Sequence, residues 1–88
     1  MSADEELEAL RAKVTEIDRS IIEAVNRRLE IVAQIKAHKK EHGMAFLDVN
    51  REEEMLARQS DENRGPLSEE GLRALHAELL ALTKRELD

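Results

Sequence analysis

From Leu7 onward the chain repeats apolar residues at spacings of three and four: Leu7, Leu10, Val14, Ile17, Ile21 and Ala24. That is the a/d seam of a long amphipathic helix. The next seam position is Arg28, after which Ile31 and Ile35 resume the pattern. No Gly or Pro interrupts the run, so the pattern predicts one helix from near Asp4 to about Glu41. Such a helix is ~55 Å long at 1.5 Å per residue. A second stripe, Ile22, Val25, Leu29 and Val32, widens the apolar face and calls for more than one neighbouring helix. Lys39 and Lys40 suit the negative end of the helix dipole, and Gly43 suits a left-handed C-cap.

The chain from His42 to Leu47 then reads as a short connection. Asp48 is a good N-cap for a second helix, roughly 49–60, with Met55, Leu56 and Gln59 along it. Ser60 to Pro66 reads as a linker. Ser68 caps a third helix, with Leu67 placed as a hydrophobic staple and Leu72, Leu75, Leu79 and Leu82 as the seam. The prediction is an all-α chain of three helices, residues 1–88 forming a single domain. The two shorter helices together span only ~45 Å. They cannot cover both apolar faces of the long helix, so its N-terminal half calls for a second chain. The expected assembly is a homodimer with the long helices packed together.

Composition supports this reading. The chain has 88 residues, and a lone chain of that size buries only ~60–65% of its unfolded surface. Phe46 is the single aromatic residue, and 39% of residues are charged, as in a helical bundle or coiled coil. The net charge of -6 disfavours nucleic acid and anionic membranes as partners. No apolar run approaches a membrane span, the acidic N-terminus does not resemble a secretory signal, and there is no cysteine. The expected location is the cytoplasm.

Arg28 is where chemistry enters the pattern. An unpaired guanidinium buried in a seam costs several kcal/mol, so an anion should meet it. Lys39 lies eleven residues on, nearly the same face ~16 Å away, and the two cations could bracket a small anionic ligand. Lys36, Lys39 and Lys40 form a basic patch that would ordinarily be a solvated helix end. Asp48, Arg51 and Glu52 share one helix face, which by itself reads as a cap plus a surface ion pair. His38 and His42 stand at i and i+4, a possible metal pair without further ligands at a metalloprotease or finger spacing. His76 reads as a packed core residue. No GxSxG and no glycine-rich phosphate loop is present. An enzyme of this sequence would work by charge and hydrogen bonding.

Three segments in order, LRAKVTEID with Arg11, NRRLEIVAQIKAHK with Arg28 and Lys39, and DVNREEEML with Asp48, Arg51 and Glu52, resemble the all-helical (AroQ-type) chorismate mutases. The resemblance covers nearly the whole chain. It implies an intertwined homodimer that converts chorismate to prephenate by a pericyclic rearrangement, on the route to Phe and Tyr, without cofactor or metal. It implies that Arg28, and Arg11 from the partner chain, hold the two substrate carboxylates. Arg51 would assist, Asp48 and Glu52 would receive the ring hydroxyl, and Lys39 would face the ether oxygen. The family usually carries Ser, then Gln or Glu four residues later, near the end of the third helix. Here those positions are Thr83 and Leu87, and Glu86 stands one residue earlier. Thr83 and Glu86 are therefore the candidates for a second group at the ether oxygen. A lyase or aminodeoxychorismate mutase on the same scaffold, or a non-catalytic helical dimerisation module, would share the pattern. The acid at Glu52 favours the mutase over the lyase, and Arg28 in the seam favours an enzyme over a scaffold.

Overall fold

The computed structural model describes residues 2–45 and 48–88 and contains three helices, α1 (Ala3–Glu41), α2 (Val49–Glu62) and α3 (Glu69–Leu87). Phe46 and Leu47, the end of the expected connection, lie outside the described residues. Contacts cluster into two units, one running through Ile31 and the other covering Val32–Asp88. The boundary falls inside α1, which is continuous across it.

In the first unit Ser2 caps the helix that begins at Ala3. Its hydroxyl accepts from the Glu5 N–H at 3.1 Å and its carbonyl from the Glu6 N–H at 3.0 Å. This is an N-cap with acidic residues in the first turn to complement the dipole. The seam residues Leu7, Leu10, Val14, Ile17 and Ile21 are 44–60% exposed, and Ile22 is exposed beside them. Val25, Arg28 and Leu29 are half-buried.

In the second unit α1 ends by a defined device. Gly43 adopts φ 63°, and the Met44 N–H donates to the Lys39 carbonyl at 2.8 Å while the Gly43 N–H donates to that of Lys40 at 3.3 Å. This paired arrangement is the Schellman motif, and its left-handed position is the one that glycine fills without strain. Helix α2 runs two residues beyond the expected end and absorbs part of the expected linker. Its C-cap is Asn63, whose N–H donates to the Gln59 carbonyl. The Asn63 amide donates on to the Leu67 carbonyl and accepts from the Gly65 N–H, so the turn is organised by one side chain. Ser68 caps α3 by accepting from the Gly71 N–H at 3.0 Å. The Leu67 side chain lies over Gly71, where an added methyl would come within 2.8 Å of it.

Helices α2 and α3 pack on each other. On α2, Glu52, Met55, Leu56 and Gln59 are half-buried along one stripe. On α3 the inward face runs through Leu72, His76, Leu79, Leu80, Thr83 and Leu87. Leu75, expected in the seam, is half-exposed instead. The buried stripe advances by fours from Leu72 to His76, which turns the flank at Leu75 outward.

Candidate active site

Lys39 stands in the last turn of α1, half-buried, with its backbone carbonyl held by the Met44 N–H. The C-terminal motif thus sets where its ammonium stem begins. Lys36, one turn earlier, donates to the Leu87 carbonyl at 2.7 Å and stands 3.6 Å from the Asp88 carboxylate. The His38 and His42 rings lie 4.3 Å apart, and His42 Nδ1 is 2.8 Å from the His38 carbonyl. Among the described residues no group of three or more His, Asp or Glu side chains converges as a metal site.

At the start of α2 the Asp48 carboxylate accepts from the Arg51 backbone N–H at 3.2 Å, as an N-cap does. Among the described residues the expected ion pair between Arg51 and its acidic neighbours is not formed. Arg51 and Asp48 are exposed, whereas Glu52 is half-buried on the face toward α3. Capping therefore fixes Asp48 and leaves the Arg51 guanidinium projecting from the first turn.

At the other end of the unit, Thr83 is buried and its hydroxyl donates to the Leu79 carbonyl at 2.7 Å. Glu86 is exposed. Helix α3 remains α-helical to Leu87, so its last turn does not tighten or unwind in a way that would turn Glu86 inward. Leu87, four residues after Thr83, is half-buried and offers its backbone carbonyl to Lys36 rather than a polar side chain.

The first unit holds two further candidates. Arg11 is exposed and pairs with Glu8 at 2.9 Å, one turn back on the same helix. Arg28 is half-buried. A shallow recess on this unit is lined by Ser20, Glu23, Ala24, Asn26, Arg27 and Glu30 and by none of the expected site residues. Sequence reasoning overlooked Lys36 as more than part of a basic patch. Its contact spans 51 residues and has no local pattern.

Residues 10–86 match the family described as chorismate mutase type II. The chain belongs to that family. All eight expected site residues fall inside the matched span. Two solved chorismate mutase structures from Thermus thermophilus are similar to it. Form I is 35% identical with a TM-score of 0.84, covering 89% of this chain and 98% of its own. Form II is 34% identical with a TM-score of 0.85, covering 91% of each chain. No match was found among curated proteins. The family membership makes the chain a chorismate mutase, an isomerase whose described residues form three helices and no strand. No described helix is long and apolar enough to cross a membrane.

Proposed function

We propose that this chorismate mutase works as a homodimer in the cytoplasm, with each active site completed by Arg11 of the partner chain. The observation that carries this reading is the exposed seam of the first unit. Its side chains, each worth about 1.5–3 kcal/mol when fully buried, form a continuous apolar stripe suited to a second copy of the same helix. The spacing of the arginines supports it too. Arg11 and Arg28 are 17 residues apart on one helix, ~25 Å, and cannot both reach one small ligand from the same chain.

In this reading Arg11 and Arg28 hold the two carboxylates of chorismate as planar forks. Arg51, projecting from the start of α2, adds to the positive field, and Asp48 and Glu52 accept from the ring hydroxyl. As the rearrangement proceeds, the C–O bond of the enolpyruvyl ether breaks while a C–C bond forms. Negative charge grows on the ether oxygen, where Lys39 supplies a fixed cation. Preorganised charge of this kind favours the transition state over the ground state. Holding the arm over the ring supplies an entropic part of the acceleration. No proton transfer, cofactor or metal enters the step.

The second group at the ether oxygen is Thr83 in this reading. Its hydroxyl reaches substrate by leaving the Leu79 carbonyl for a second staggered position, two of which are common for Thr in helices. Glu86 would need the last turn of α3 to unwind and its carboxyl to be protonated. The direct test is conversion of chorismate to prephenate by the purified protein. Lys39→Ala should lower kcat by about 3–4 kcal/mol of transition-state stabilisation, with a smaller change in KM. Near-normal kcat with a raised KM would remove Lys39 from the ether oxygen.

A further inference from the structure

The last four carbonyls of a helix have no partner within it and carry the negative end of its dipole. In α3 one of them, that of Leu87, accepts from Lys36 of α1 at 2.7 Å. The Lys36 side chain is 40% exposed, so this hydrogen bond is partly shielded from water. The 3.6 Å approach to the Asp88 carboxylate, which is 73% exposed, contributes little beside it.

The location of this clasp matters more than its strength. Lys36 and Lys39 stand three apart, and Thr83 and Leu87 four apart, so each pair shares a helix face. The bond thus ties the turn of α1 that ends in Lys39 to the turn of α3 that begins with Thr83. Among the described residues, no Cα atom of α1 from Val32 onward comes within 8 Å of a Cα atom of α3. Close backbone packing does not fix this register, and a long side chain bridges the gap. Helix α1 is already locked on the far side of Lys39 by Gly43 and Met44.

We propose that Lys36 is a positioning residue: through the Leu87 carbonyl it holds the last turn of α3, and with it Thr83, in register with the turn of α1 that carries Lys39. Position 87 then serves the site through its backbone, which a leucine supplies as well as any residue. This inference rests on the assignment of Lys39 and Thr83 to the reacting end of the site.

The experiment is a kinetic double-mutant cycle on the full chain with chorismate as substrate. Lys36→Met keeps the aliphatic stem and removes the donor. It should lower kcat about tenfold with KM within about twofold, measured where circular dichroism shows full helicity. Lys36→Arg should recover most of the loss, and Asp88→Asn should leave kcat unchanged. In a Thr83→Val background, Lys36→Met should cost almost nothing further, because its effect runs through Thr83. Wild-type kcat in Lys36→Met, or a loss that adds fully to that of Thr83→Val, would overturn the proposal. If Lys36→Met does not fold, Lys36→Leu, which likewise lacks a donor, takes its place with the same two criteria. Lys39→Ala, run in parallel, separates the layers. Full activity there defeats the site assignment itself, while an inactive Lys39→Ala beside a normal Lys36→Met defeats the positioning role alone.

Discussion

The stretch through Ile31 and the stretch from Val32 onward both carry apolar patterns, and among the described residues only the second buries side chains, although Ile35, Val49 and Leu75 stay exposed there too. In the second, Leu72, His76 and Thr83 are buried, all on one face of α3. In the first, five consecutive seam residues from Leu7 to Ile21 stay largely exposed. Periodicity states which side chains need cover and is silent on which chain provides it. A helix whose seam faces water draws most of its stability from elsewhere, since isolated helices are marginal even with good propensity. The contrast is the physical reason to look for a second copy at the N-terminal half of α1.

Paired substitutions give the largest effect that can break this contrast. Ile17→Glu should destabilise the protein by about 3 kcal/mol or more and raise the concentration at which the dimer dissociates, because it places a charge in a dimer seam. Leu72→Ala should cost about 2–4 kcal/mol with the dimer intact, because it opens a hole within one chain. Thermal melts and sedimentation at several concentrations separate the two. If Ile17→Glu stayed within about 0.5 kcal/mol of wild type, the exposed seam would be an ordinary solvated surface.

The contrast also shows what was legible beforehand. Helix positions followed from periodicity, and the caps at Asp48 and Ser68 and the left-handed Gly43 followed from local chemistry that needs no partner. Helix α1 begins just before Asp4 because Ser2 caps it, and α2 outruns its expected end because Asn63, within the presumed linker, closes the helix. Leu75 turned outward because the side of α3 that α2 covers is a tertiary choice. The placement of Lys39 in the last turn of α1 and of Asp48 at the α2 cap was readable, because local rules are strong at helix termini. The contact between Lys36 and Leu87 was not, since only the fold brings those positions together. Nor does a residue type reveal that the Thr83 hydroxyl donates back to its own helix.

A smaller effect sharpens the picture at the end of α1. Gly43→Ala should cost about 1 kcal/mol in stability, from the left-handed backbone alone. Among the described residues nothing lies within 4 Å of the added methyl, and the backbone conformation alone sets this figure. A loss several times larger would show that the turn supports more than the helix terminus. The smallest effect is expected at Glu86. With α3 helical to Leu87 and Glu86 exposed, kcat measured against pH should superimpose for wild type and Glu86→Gln. A wild-type profile that falls with rising pH and flattens in Glu86→Gln would instead make Glu86 a protonated donor to the substrate.

The central claim, proposed above, is that each site takes Arg11 from one chain and Arg28, Lys39 and the residues of α2 and α3 from another. It is tested most directly by mixing two inactive chains. Arg11→Ala and Lys39→Ala proteins, unfolded together in equal amounts and refolded, should pair at random. Each mixed dimer then carries one site with both faults and one with neither, so about a quarter of wild-type activity should return. Activity no greater than that of the two variants refolded separately would contradict a site shared between chains.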